Sequence, residues 1–223
     1  MSRIVQRRGE RGSLKWIQAC VNTRPHILDA AILAQLPMAK SIEWRSPLES
    51  DDFAEYRDAL FLAQLDLDEL APDLAAFWPD RGPQWDALGI TDAGHVLLVE
   101  AKAHIDELCS PPSAAKAERS TALIKSSLAE TTAAFGATPK ADWSNTFYQY
   151  ANRLAHLHFL CMANIHAWLV LVNFVGDAEM NGPDTRQEWE AAYRIVNHVM
   201  GIRERTRLMR RVLHVYPDVK TLA

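Results

Sequence analysis

The sequence predicts an α/β fold in which a central mixed β-sheet is flanked by helices, with residues 1–49 as an N-terminal helical addition. Three observations carry this reading. Residues 167–175, Ala-Trp-Leu-Val-Leu-Val-Asn-Phe-Val, form a nearly continuous apolar run, as a strand covered on both faces requires. Residues 85–102 read as two strands joined by the tight turn Asp92-Ala93-Gly94. Helical segments with 3.6-residue apolar spacing lie before, between and after these strands.

In chain order, residues 13–37 read as helical with a break at Pro25. Residues 51–67 read as one helix, with acids in the first turn and Phe53, Tyr56, Leu60 and Leu67 as an apolar stripe. The hairpin follows. After Pro111-Pro112, residues 114–135 are expected as a helix ending at Gly136, and residues 144–163 as another capped by Ser144. Thr185-Arg186-Gln187-Glu188 is a capping box opening a helix whose stripe is Trp189, Tyr193, Val196 and Met200 and which stops at Gly201. Residues 212–216 form a last strand before Pro217.

A chain of 223 residues with 48% hydrophobic content can bury the core of one domain, or of one domain with an added helical piece. Cys20, Cys109 and Cys161 are odd in number and far apart, so neither a disulfide framework nor a zinc knuckle is indicated, and a reducing cytoplasm fits. The N-terminus is charged without an apolar stretch behind it and reads as no signal peptide. The longest apolar run, near residues 165–175, is too short to span a bilayer, so no membrane is expected as a partner. A net charge of −4 gives no general affinity for nucleic acid. Two local basic clusters, Arg3, Arg7, Arg8, Arg11 and Lys15, and Arg203, Arg205, Arg207, Arg210 and Arg211, offer phosphate contacts if the fold sets either beside a reactive site. No Gly-rich phosphate loop, no G-x-S-x-G and no cysteine with an evident base is present.

The hairpin carries the candidate chemistry. With the turn centred on Ala93, Asp86 falls opposite Glu100, with Cβ atoms about 4.5–5.5 Å apart. Lys102 lies on the same face, about 6.5–7 Å further along. A slip of one residue would turn either acid to the other face. Two carboxylates so close repel, and the repulsion is relieved either by a raised pKa or by a divalent cation. Hard oxygen ligands favour Mg²⁺ or Mn²⁺ over zinc. A lysine beside such a metal could orient a water or stabilise charge on a phosphoryl group. The plain alternative is a hairpin end with a solvated Glu100–Lys102 ion pair.

Asp86, a thirteen-residue gap and Glu100-Ala101-Lys102 resemble the signature of the PD-(D/E)xK nuclease superfamily, the restriction-endonuclease-like fold. The resemblance covers roughly residues 50–220 and takes 50–223 as the nuclease-like domain. It implies an αβββαβ core, with residues 77–85 or a nearby segment supplying part of the first strand. It also implies hydrolysis of phosphodiester bonds, of DNA in the first instance, with Mg²⁺ or Mn²⁺ as cofactor. Asp86 and Glu100 would hold the metal with the carbonyl of Ala101, and Lys102 would assist the nucleophilic water. Glu55, on the predicted helix before the hairpin, stands where some members place a further metal ligand. Gln149 stands where some branches carry a glutamine on the helix after the lysine strand. With Asn152, Arg153 and His156 it shares a helix face able to contact nucleic acid, or simply a solvated one. Asp80, in a literal Pro-Asp, competes with Asp86 but would lie about 20 Å from Glu100 along the hairpin. His156 and His158 differ by two on a helix and point apart, which argues against zinc. The alternative function is a non-catalytic binding module on the same scaffold. Nucleic acid is the expected partner, and a homodimer is admitted.

Overall fold

The computed structural model describes residues 3–203 and 205–222. The elements run β1 (Arg3–Ile4), α1 (Gly12–Asn22), α2 (Pro25–Leu33), β2 (Ile42–Ser46), β3 (Glu55–Tyr56), α3 (Ala59–Gln64) and α4 (Ala71–Phe77). They continue through β4 (Ala87–Thr91), β5 (Val96–Lys102), α5 (Glu118–Ala134), α6 (Tyr148–Met162), β6 (Ala167–Asn173), α7 (Arg186–Met200) and β7 (Val212–Val215).

Five strands form one mixed sheet in the order β2-β4-β5-β6-β7. β2, β4 and β5 pair antiparallel, and β5, β6 and β7 pair parallel. Helices cover both faces, so the fold is α/β with a central mixed sheet, as the sequence predicts. On one face Leu97, Val99, Val170, Val172 and Leu213 pack with Trp16, Ile17, Leu28 and Ile32 of α1 and α2. On the other, Leu98, Leu169 and Leu171 pack with Leu154, Leu157 and Trp189 of α6 and α7. Residues 1–49, expected as a helical addition, thus contribute an edge strand and one of the two helical layers.

This division fixes where the charged side chains go. Side chains alternate along a strand, so Leu98, Glu100 and Lys102 share the α6 face while Leu97, Val99 and Ala101 face α1. A one-residue slip would drive Glu100 and Lys102 into the apolar layer in place of Val99 and Ala101. Each fully buried Val or Leu is worth about 1.5–3 kcal/mol and each unpaired buried charge costs more, so the register is held from both sides.

Several local signals are realised as read. Helix α7 opens with the capping box, Glu188 N–H donating to Thr185 Oγ1 (3.3 Å) and Thr185 N–H to Glu188 Oε2 (3.2 Å). It closes at Gly201 with φ +68°, where an added Cβ would lie 1.9 Å from the Thr138 carbonyl oxygen. Strand β6 lies inside the sheet, between β5 and β7, and is largely buried.

Three expectations are corrected. Residues 51–67 do not form one helix: Asp52, Phe53, Asp58 and Asp66 all take positive φ. The segment instead makes β3, paired with β1, and then the short α3. Ser144 does not cap α6, because Asp142 already accepts from both its N–H (2.8 Å) and its hydroxyl (2.7 Å). The helix starts at Tyr148, after Phe147 at φ +52°. Residues 77–85 supply no sheet strand; β2 pairs with β4 instead, and Trp85 makes only an isolated bridge to Tyr56.

Candidate functional site

The turn sets the site. Gly94 takes φ +74°, Gly94 N–H donates to Thr91 O (2.8 Å), and Thr91 N–H donates to His95 O (2.9 Å). The resulting pairs run from Ile90↔Val96 to Ala87↔Val99. The regular pairing ends there, and Asp86 follows just beyond the end of β4. Asp86 N–H donates to Val99 O (3.2 Å), and Asp86 Oδ2 accepts from Ala101 N–H (2.7 Å). The carboxylate of Asp86 therefore stands in for the next rung of the ladder. The Ala101 carbonyl points to the same edge of β5 as its N–H, and so toward Asp86.

Glu100 is engaged on both oxygens. Lys102 Nζ donates to Oε1 at 2.6 Å, and the Arg153 guanidinium meets Oε2 at 2.6 Å. Lys102 Nζ also donates to Gln149 Oε1 (2.8 Å). Arg153 donates to the Gln84 carbonyl (2.8 Å) and to Asn152 Oδ1 (2.8 Å), and lies 5.0 Å from the centre of the Trp85 ring. Glu55 Oε2 accepts from Gln6 Nε2 (2.9 Å) and from Gln84. Glu55, Glu100, Lys102 and Arg153 are each at most 5% exposed, and Asp86 is half-buried. A solvated surface ion pair is therefore ruled out for Glu100 and Lys102.

The electrostatics follow from three acids, Glu55, Asp86 and Glu100, facing two cations, Lys102 and Arg153. Burial, then the charges of Glu100 and Glu55, hold the Asp86 carboxyl well above its ordinary pKa. Burial also raises Glu55, with Gln84 and Gln6 offsetting only part of it. Burial pushes Glu100 upward as well, but Arg153 and Lys102 outweigh it and hold Glu100 below the usual carboxylate range. Glu100 is thus the firmly ionised acid, and Asp86 is the acid short of a counter-charge.

Of the residues singled out from sequence, Asp86, Glu100, Ala101, Lys102, Glu55, Gln149 and Arg153 meet here, with Asn152 anchoring Arg153. Glu55 reaches the cluster from β3, not from a helix. The α6 face carrying Gln149, Asn152, Arg153 and His156 turns inward over the sheet. His156 lies deeper, against Trp78, Trp85 and Phe61, where burial lowers its pKa to about 3 and leaves it neutral. Asp80 is exposed and takes no part. His158 instead bonds Glu130 (3.1 Å) and His166 stacks on His95, so the three histidines do not converge.

Sequence reasoning missed Gln84 and Gln6. Gln84 sits two residues before Asp86, and that spacing could have flagged it. Gln6 carries no such signal, since it arrives through the β1–β3 pairing. Of the basic clusters, the amino-terminal one adjoins the site through Gln6, while Arg3 bonds Asp51 (2.7 Å). The carboxyl-terminal one lies toward the other end of the sheet, next to Val212, which is level with Leu169 and Leu98. There Arg207 and Arg211 line a cavity of about 500 Å³ with Cys161 and His166.

The donor set suits a hard divalent cation: carboxylate oxygens, a backbone carbonyl on the same edge, and an acid left without a full counter-charge. Among the described residues no group of three His, Cys, Asp or Glu side chains is arranged to hold a metal ion, so such a site would rest on two carboxylates and the carbonyl. No helix of the described residues is long and apolar enough to cross a membrane. No protein-family model, curated protein or solved structure matches the chain.

Proposed function

We propose that this chain is a divalent-metal-dependent phosphodiester hydrolase of the PD-(D/E)xK type, acting on nucleic acid and on DNA in the first instance. The observation that carries the reading is the meeting of Asp86, Glu100 and Lys102 at one end of β4 and β5, with more acid than base in a nearly dry setting. The element order supports it: helices, the antiparallel β2-β4-β5, helices α5 and α6, then the parallel β6 resemble the expected αβββαβ core, with α3 and α4 inserted after β2.

Asp86, Glu100 and the Ala101 carbonyl would hold Mg²⁺ or Mn²⁺, which would lower the pKa of a bound water and polarise the phosphoryl oxygen. Lys102 supplies a cation fixed between Glu100 and Gln149, aimed so that it can orient the attacking water or meet charge developing on the phosphoryl group. Gln149 acts by holding that ammonium in one place. Gln84 and Gln6 hold Glu55, and the Ala101 N–H holds Asp86. Three free thiols suit a reducing compartment, so the proposed location is the cytoplasm.

One observation favours the second reading, a non-catalytic binding module: both Glu100 oxygens are already bonded to cations. Cleavage decides between them. Purified wild type and Glu100→Ala are incubated with single- and double-stranded DNA and RNA in Mg²⁺ or Mn²⁺, with EDTA controls. The hydrolase reading expects metal-dependent cleavage by wild type alone; intact substrates throughout favour the binding module.

A further inference from the structure

We propose that Arg153 is a built-in competitor for the metal: its guanidinium is paired with Glu100 inside the acid cluster and must release it before a divalent cation is taken up. The inference rests on the metal-dependent reading above and assigns it a regulating residue.

Geometry carries the argument. Arg153 meets Glu100 Oε2 at 2.6 Å while Lys102 holds Oε1, so every oxygen of the one firmly ionised carboxylate already has a cation. The positive charge of Arg153 also acts on Asp86 and on Glu55, though more weakly than burial does, so its one ion pair with Glu100 bears on the charge balance of all three acids. A divalent ion shared by Asp86 and Glu100 would need the same place and the same charge balance. Two cations in one small buried space repel. Even at the dielectric of water, a unit charge about 6 Å from a divalent ion weakens binding about tenfold.

Arg153 is also provided with somewhere to rest. Its remaining donors reach the Gln84 carbonyl and Asn152 Oδ1, each at 2.8 Å, and its plane lies near the Trp85 ring. These partners are neutral and stay in place when Glu100 is released. The guanidinium can therefore let go of one carboxylate without being left as a buried charge with no hydrogen-bond acceptor. A purely structural ion pair has no need of this second set of acceptors. Lys102 differs: among the described residues its other partner is Gln149, and the role proposed for it beside the phosphoryl group suits it to stay.

The test is calorimetric titration of the full chain with MnCl₂, for wild type, Arg153→Gln and Arg153→Lys, without nucleic acid. The expected result is at least tenfold tighter Mn²⁺ binding by Arg153→Gln and an affinity within about threefold of wild type for Arg153→Lys, which keeps the charge. Equal or weaker binding by Arg153→Gln, with wild type binding, overturns the inference and leaves the metal-dependent reading standing. If neither folded protein binds Mn²⁺, both fall. Should Arg153→Gln be unfolded in EDTA, circular dichroism against Mn²⁺ decides: refolding on addition of the metal supports the competition, and a chain still unfolded in millimolar Mn²⁺ overturns it.

Discussion

Replacing Glu100 by Gln tests whether the ion network is built as the structure has it. The substitution keeps the shape and one acceptor oxygen, which can stay on Arg153. It also turns an amide NH₂ toward Lys102 Nζ, so a donor faces a donor where a 2.6 Å ion pair stood. Removing one partner of a buried pair costs about 3–5 kcal/mol, because the remaining charge is left without compensation. Two effects work the other way. Asp86 and Glu55 still share Arg153, and the repulsion between Glu100 and Asp86 is relieved. The lower end of the range, about 3 kcal/mol, is therefore the expectation. For a chain of 223 residues each kcal/mol moves Tm by about 2–4 °C, so Tm should fall by about 6–12 °C. Urea unfolding at pH 7 in EDTA measures the loss directly. A double-mutant cycle with Lys102→Met should give a coupling free energy of at least about 1 kcal/mol. A loss below about 1 kcal/mol, with additive single effects, would mean that Glu100 and Lys102 are solvated, and the site as described would be refuted.

Two further predictions concern its neighbours. Asp86 has a raised pKa in the folded chain, so its proton-linked stability is fully present below the ordinary carboxylate value of 3.8 and is lost as pH rises through the folded value. Asp86→Asn, which keeps an acceptor for the Ala101 N–H, should therefore match wild type at low pH and exceed it increasingly as pH rises, in Tm measured with EDTA. A gap that stays constant with pH would show that Asp86 carries no unusual proton. Lys102→Ala leaves Asp86, Glu100 and the Ala101 carbonyl in place and removes one repelling charge, so Mn²⁺ affinity should be kept or tightened by up to about tenfold while cleavage drops about a hundredfold or more; cleavage at the wild-type rate removes Lys102 from the chemistry.

The sequence by itself determined what short-range rules decide. Asp92-Ala93-Gly94 sets the hairpin register, because one left-handed glycine closes a three-residue loop. Period-two alternation then puts Asp86, Glu100 and Lys102 at one place without any distant contact. The capping box at Thr185 and the stop at Gly201 are equally local, and the apolar run of β6 announces a strand covered twice. What only the tertiary structure decided depends on residues far apart in the chain. The β1–β3 pairing overrides the helical pattern of residues 51–67 and carries Glu55 and Gln6 into the cluster. The choice of β2 as partner of β4 is set by the helical layer that α1 and α2 lay on the same face. The polar stripe of α6 reads as solvated because polarity normally marks the outer face of a helix. It turns inward here because Glu100, fixed by the buried register of β5, needs a counter-ion, and Arg153, 53 residues further along, supplies it.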